Sequence, residues 1–319
     1  MASAIVFAYS EVGARCLQVL LDRQGRVDLL FTHEDDPSES QWFASVAQLA
    51  AAHGIRCVTP ADPNQAEWIE AGRRIAPDFV FSFYYRHMLT GGWLGVARRG
   101  ALNMHGSLLP KYRGRVPVNW AIIKGERETG ASLHHMAIKP DAGNLVAQQR
   151  VPILPDDTAA DVFRKVCVAA ELCLDGALPG LLDGSAPSVP LDLAKGSYFG
   201  GRKAEDGRID WRQGALDIHN LVRAVAPPYP GAWMDLDGHR WIIERTRVLA
   251  GRRGPHASPT LYGDGGTLLA QAGDGGVLRV FELTIDGVAQ DVAATASRLA
   301  VSPLPLPLAP PATAAAARS

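Results

Sequence analysis

The chain has 319 residues, 47% of them hydrophobic and 20% charged, with a formal net charge of −1. That is material for two ordinary globular domains with sizeable cores, and it excludes a disordered or fibrous chain. Cations and anions are spread through the sequence without a basic stripe or arm, which argues against a grip on long nucleic acid; an anionic small molecule needs only one or two well-placed Arg or Lys.

In chain order, the opening MASAIVFAYSEVGAR lacks the basic start and long apolar run of a signal peptide. Short apolar runs then alternate with helical stretches, the sequence form of a βα-layered sheet. Residues 4–8, 27–31, 79–83 and 101–104 read as strands buried on both faces, and 14–21 and 42–52 as helices with apolar residues at helical spacing. Residues 129–138 and 146–153 suggest two more strands, and a long helix follows over 158–182, opened by Pro155-Asp156-Asp157. The stretch 184–206, rich in Gly, Pro, Ser and charge, reads as a linker with a short ordered patch at Tyr198-Phe199. A helix over 215–226 and short strands at 232–236, 240–248, 267–271 and 277–283, punctuated by paired glycines, predict a small β domain of the OB-like barrel kind. The predicted organisation is therefore a Rossmann-like α/β sheet with helices on both faces (1–183), a linker (184–206), an OB-like domain (207–300) and a disordered Pro/Ala-rich tail (301–319).

No segment has the apolar length of a membrane span, so no membrane partner is expected. Cys16, Cys57, Cys167 and Cys173 form no CxxC pair and keep no His at zinc spacing; buried, reduced thiols and a cytoplasmic address follow, with no metal. Neither GxGxxG nor GxxxxGK[ST] occurs, which disfavours a nicotinamide- or ATP-driven enzyme. His134-His135 has no Cys or Glu at metal spacing and reads as an ordinary strand pair, and the tryptophans read as packing residues.

The chemistry concentrates in Leu102-Asn103-Met104-His105-Gly106-Ser107-Leu108-Leu109-Pro110. Asn103 and His105 are two apart at a strand end, so both leave one face while Met104 points to the other, and Gly106 permits an abrupt turn. An oxyanion donor and a proton carrier would thus stand side by side where open α/β sheets place ligands. The alternative is a polar strand end bonded to its own loop. In Lys139-Pro140-Asp141-Ala142-Gly143, Asp141 sits on a constrained turn. It is either a turn residue or, if near His105, a carboxylate that favours the imidazolium.

Taken together, NMHGSLLPKYRGRVPVNWAI, ETGASLHHM and KPDAGNLVAQ resemble the 10-formyltetrahydrofolate-dependent formyltransferase family, with FSFYYRHML and RAVAPPYPGAW matching further elements. Within it, VFAYS, FTHEDDP, FSFYYRH, HGSLLPKYRGR and VRAVAPPYPGA are most similar to members that formylate UDP-4-amino-4-deoxy-L-arabinose in lipid A modification, the route to polymyxin resistance. The resemblance implies that Asn103 stabilises the transition state, that His105 donates the proton and that Asp141 raises the pKa of His105. It implies folate contacts from His87, Met88, Leu89, Arg115 and the loop Ala137, Ile138, Lys139, Pro140, Asp141. Pro140 departs from the family pattern, which has a longer basic pair before the Asp. Phe199-Gly200-Gly201-Arg202 also departs, standing where two adjacent Arg are expected and leaving Arg202, with Tyr229, as the candidate contacts to a sugar nucleotide.

Formyl transfer passes through a tetrahedral intermediate with a negative oxygen, so donors from Asn103 and His105 are what it needs, and neither metal nor covalent nucleophile is called for. Rival readings are a different nucleotide-linked amino sugar, methionyl-tRNA as acceptor, and a folate-binding regulatory module without catalysis. The short acidic loop Thr32-His33-Glu34-Asp35-Asp36-Pro37-Ser38-Glu39-Ser40 would repel an acceptor stem, and intact Asn103, His105 and Asp141 exceed what binding alone requires.

Overall fold

The computed structural model describes residues 2–34 and 44–308. The acidic stretch at 35–40 and the start of the helix expected from residue 42 therefore lie outside the described residues.

Two compact units are present, Met1–Val118 with Glu128–Pro152 and Val162–Gly201, and Asn119–Arg127 with Ile153–Asp161 and Arg202–Ser319. The first carries β1 (Ser3–Ala8), α1 (Ser10–Asp22), β2 (Arg26–Phe31), α2 (Val46–Ala52), β3 (Cys57–Val58), α3 (Ala66–Ile75), β4 (Phe79–Phe83), α4 (Gly91–Leu94), β5 (Gly100–His105) and β6 (Arg113–Gly114). Next in the chain are α5 (Pro117–Ile123), β7 (Glu128–His135), β8 (Leu145–Pro152), α6 (Ala159–Asp183) and β9 (Tyr198–Phe199). The sheet order is β3-β2-β1-β4-β5-β7-β8. Its first five strands are parallel, while β7 joins β5, and β8 joins β7, antiparallel. Strands such as SAIVFA and FVFSF are buried at every position because helices cover both faces. Leu17 and Leu20 of α1 share one core with Cys167, Leu174 and Leu178 of α6. Trp68 and Ile69 of α3 and Trp93 of α4 share the other with Phe7, Phe31 and Val80. This is a Rossmann-like α/β sheet.

Local chemistry explains several boundaries. Thr158 and Asp161 cap α6 reciprocally: Thr158 N donates to Asp161 Oδ2 at 3.0 Å and Asp161 N to Thr158 Oγ1 at 3.3 Å. β7 ends at His135, short of the residue 138 expected from hydropathy, and the chain turns there into the loop that carries Asp141. The predicted linker is partly built into the first unit: β9 pairs parallel with β6, Arg113 opposite Tyr198 and Gly114 opposite Phe199.

The second unit holds α7 (Ala215–Ala224), β10 (Ala232–Leu236), β11 (His239–Arg253), β12 (Thr260–Asp264), β13 (Thr267–Gln271), β14 (Gly276–Ile285), β15 (Val288–Ala289), α8 (Val292–Val301) and β16 (Leu304–Pro305). Its antiparallel sheet runs β10-β11-β14-β13-β12-β16, with β15 paired to β14, an arrangement consistent with an OB-like fold. Trp211, Ile218, Val222, Met234, Ile243, Leu278 and Leu299 fill its core. Residues 301–308, expected to be part of a disordered tail, are ordered: α8 extends to Val301, Leu304 pairs with Leu261 and Leu306 is 5% exposed, because the alternate apolar residues Leu304 and Leu306 complete the β12 edge. Residues 309–319 lie outside the described residues.

Candidate active site

β5 delivers Asn103 and His105 at the carboxyl end of the parallel strands, with Met104 turned into the core. Gly106 has to lack a side chain, since a Cβ there would lie 1.6 Å from the Tyr84 hydroxyl. The loop that follows is pinned from inside. Ser107 Oγ donates to Lys111 O at 2.6 Å, Leu109 N donates to Ser132 Oγ at 3.1 Å, and Ser132 Oγ donates to Ser107 O at 2.6 Å. Gln148 Nε2 closes the set by donating to Leu109 O at 2.8 Å.

β7 contributes what hydropathy reading passed over. The register sets His134 opposite Asn103. His134 Nδ1 lies 2.8 Å from His135 O, a carbonyl that only accepts, so Nδ1 carries a hydrogen; when the ring holds no second one, Nε2 is an acceptor. Asn103 Nδ2 lies 3.1 Å from that Nε2 and donates to it, which fixes which way round the amide sits. One amide N–H is thereby used and the second stays available for an oxygen of a reactant. The alternation of SLHH on a strand beside β5 is the signal that could have found His134.

Asp141 adopts a left-handed backbone, φ 50°, a conformation Asp tolerates. Gly143 beside it leaves the loop room to pass β7, since a Cβ would fall 1.9 Å from His135 O. Asp141 Oδ2 accepts the Gly114 N–H at 2.8 Å, and Oδ1 stands 3.6 Å from both His105 Nδ1 and His134 Nε2. His105 Nε2 donates to Tyr112 O at 2.8 Å. Asn103, His105 and Asp141 are therefore brought into one cluster, with His134 at its centre.

The electrostatics are those of two buried groups that share a charge. Burial pushes the His105 imidazole down, and this outweighs the upward pull of the Asp141 carboxylate and of the Tyr112 carbonyl; His134 adds to the lowering. Asp141 therefore raises the His105 pKa relative to an uncharged neighbour, yet the net position stays below the ordinary value. For Asp141, burial pushes up, but His105, His134 and the Gly114 N–H together overcome it and hold the carboxyl at about 2. At neutral pH the resting pair is carboxylate and neutral imidazole, with His105 Nδ1 facing Asp141 as the place where a proton would be taken up.

The residues expected to meet folate lie around this cluster on two segments. His87 and Met88 are exposed and Leu89 is half-buried, while Ala137, Ile138 and Lys139 are exposed and Pro140 half-buried. A Cβ at Gly91, at the start of α4, would lie 3.1 Å from Ile138 Cδ1, so the two segments approach each other; Met88 and Ile138 on them are 63% and 79% exposed. Asn64, which belongs to no recognisable motif, anchors the first segment: its Nδ2 donates to Met88 O at 3.0 Å and its Oδ1 accepts from Thr90 N at 2.9 Å. His33 stacks on Tyr85 (4.3 Å) and on His87 (5.1 Å), which are themselves 5.7 Å apart, and its Nε2 accepts from Arg86 N at 3.1 Å. Burial first, and then His87 and Arg86, lower His33 to about 4, so it is a neutral stacking residue. Arg115 is exposed and its backbone N–H donates to Phe199 O at 2.9 Å.

Arg202 and Tyr229 belong to the second unit. There Arg202 lies over the Trp120 ring at 4.9 Å and donates from Nη2 to Asp206 O at 2.7 Å, while Tyr229 packs against the core. Among the described residues no group of three His, Cys, Asp or Glu is placed to hold a metal. A cavity of about 130 Å³ at the opposite, amino-terminal end of β1 and β4 is lined by Ala2, Phe79, Phe81 and Leu178 and includes none of the site residues.

The profile described as formyl transferase matches residues 5–174, and that of the formyl transferase C-terminal domain matches 202–296. The chain belongs to the formyl transferase family. Several solved structures share the fold. An N-formyltransferase from Helicobacter canadensis, in complex with folinic acid and dTDP-3-aminofucose, aligns with 18% identity and a TM-score of 0.71 over 88% of this chain and 99% of its own. A sugar N-formyltransferase from a Shewanella species aligns with 18% identity and a TM-score of 0.62, covering 76% and 97%. HypX from Aquifex aeolicus with tetrahydrofolic acid, also 18% identical, gives 0.59 over 89% of this chain and 44% of that one. In this formyltransferase the profile of the catalytic domain covers β1 through most of α6, and so contains Asn103, His105, His134 and Asp141.

Proposed function

We propose that this formyltransferase moves the formyl group of 10-formyltetrahydrofolate onto the 4-amine of UDP-4-amino-4-deoxy-L-arabinose. The convergence of Asn103, His105 and Asp141 on one cluster, in which Asn103 bonds His134 and the Asp141 carboxylate stands 3.6 Å from both imidazoles, carries the reaction class. The neutral sugar amine attacks the formyl carbon, a carbon–nitrogen bond forms, and the carbonyl oxygen takes the negative charge. The free Asn103 N–H donates to that oxygen. One such donor is worth about a hundred- to a thousandfold in rate. Collapse breaks the bond from the formyl carbon to the folate nitrogen, which must gain a proton as the amine loses one. His105 is the carrier: it accepts at Nδ1 beside Asp141, whose charge offsets the imidazolium, and returns the proton to the leaving nitrogen. The balance is one N–H lost on the sugar and one gained on the folate.

The apolar pair Met88 and Ile138 and the stacked His33, Tyr85 and His87 suit the flat aromatic body of a folate. The segments HGSLLPKYRGR and VRAVAPPYPGA support the aminoarabinose acceptor. The nucleotide in the Helicobacter complex is dTDP, which favours a dTDP-linked amino sugar as the second reading. Turnover measured side by side on UDP-4-amino-4-deoxy-L-arabinose, dTDP-amino sugars and charged initiator tRNA, read by mass for the formyl gain, separates these. A higher kcat/KM for tRNA overturns the sugar reading; preference for a dTDP-sugar overturns only the acceptor.

A further inference from the structure

Arg113 is 7% exposed, and its Nε and Nη1 are buried without a hydrogen-bond partner among the described residues. Its guanidinium lies 6.0 Å from the Tyr198 ring centroid, a contact that attracts the charge but satisfies no N–H. Arg keeps its proton even when buried, so it cannot escape the penalty by becoming neutral. The backbone around it is held against residues 197–199. Arg113 N donates to Ser197 O at 3.0 Å, Tyr112 N to Ser197 Oγ at 2.9 Å and Arg115 N to Phe199 O at 2.9 Å. At Gly114, φ 97°, a Cβ would fall 2.2 Å from Phe199 O. The backbone that carries the cation is therefore fixed, while Nε and Nη1 of the buried side chain stay unspent. Its two chain neighbours hold the catalytic pair: Tyr112 O accepts from His105 and Gly114 N donates to Asp141.

We propose that Arg113 is an oxyanion site of the active centre and that its ligand is the diphosphate of the acceptor nucleotide. The proposal rests on the sugar-nucleotide reading above. A planar, pre-organised fork with unspent N–H groups suits the paired oxygens of a phosphate, and burial keeps the attraction from being screened. Both reactants carry anions, the second source being the glutamyl carboxylates of folate, and the test tells them apart.

Calorimetric titration of the whole chain with UDP, dTDP and folinate, for wild type, Arg113→Gln and Arg113→Lys, is the experiment. The nucleotide Kd should rise about thirtyfold or more in Arg113→Gln and less in Arg113→Lys, which keeps the charge but not the fork, while folinate affinity stays within about twofold. In turnover the loss should fall on KM for the sugar nucleotide, and ligand-free Arg113→Gln should melt no lower than wild type, because it removes an uncompensated buried charge. Wild-type nucleotide affinity in Arg113→Gln overturns the assignment. So does weakened folinate binding with nucleotide binding intact, or a lowered melting temperature in both variants, which would make Arg113 a structural residue. A wild-type protein that binds folinate but neither nucleotide overturns the sugar-nucleotide reading itself, and the diphosphate site with it.

Discussion

Asp141→Asn isolates the charge in the cluster. Asn keeps an oxygen for the Gly114 N–H and tolerates the left-handed backbone, so the loop should persist while the carboxylate is lost. At the 3.6 Å between Asp141 Oδ1 and His105 Nδ1, Coulomb's law gives ~1 kcal/mol in a water-like medium and ~5 kcal/mol at an effective dielectric of ~20. The His105 pKa should therefore fall further, since the upward pull disappears and the downward push of burial remains. Titration of the His105 ring by NMR reads this directly, and because the neutral imidazole is the form that accepts the proton, the pH below which turnover declines should move down with it. The variant should also lose stability at neutral pH. A carboxyl held at about 2 instead of the ordinary 3.8 contributes ~2 kcal/mol. That contribution is present above the ordinary carboxylate range and vanishes as pH falls toward 2, so the Tm gap between wild type and variant should close in acid. His105 acts in the same sense: with a folded pKa below 6.5, it costs stability as pH drops beneath that value, because the unfolded chain takes up the proton first. An unmoved His105 titration in Asp141→Asn would refute the coupling and leave Asp141 as a turn residue.

Asn103→Ala should lower kcat about a hundredfold with folinate affinity near wild type, and normal turnover would remove the oxyanion role. His134→Ala releases the Asn103 amide, so kcat should fall about tenfold or more; in the Asn103→Ala background it should cost little further, and additivity of the two would break the proposed link. Gly106→Ala sets a methyl 1.6 Å from the Tyr84 hydroxyl and should destabilise the fold by about 1–3 kcal/mol, partly relieved by Tyr84→Phe in a thermal melt.

The legible parts of the sequence were those written in a single stretch. Buried strands such as SAIVFA show as apolar runs, and Asn103 and His105 show as alternate residues at a strand end. Less legible were α3, whose apolar residues are interleaved with Glu67, Glu70, Arg73 and Arg74, and β12, broken by a glycine whose Cβ would strike the Ala296 carbonyl of α8. His134 was missed for a different reason. In isolation it is one of two histidines on an apolar strand; only the antiparallel register that sets it opposite Asn103 gives it a task. The depression of the His105 pKa likewise depends on how deeply β5 is covered, which no local motif encodes.

The pairing of β6 with β9 joins the signature loop to a strand some eighty residues further along the chain. A swap of carboxyl-terminal domains between relatives that cuts just after α6 would carry off that strand, unzip the support of Arg113 and Gly114, and loosen the Gly114 N–H from Asp141. The joint that an engineer would respect lies beyond Phe199, so a chimera cut there should keep its acid–base pair while one cut at residue 183 should lose it.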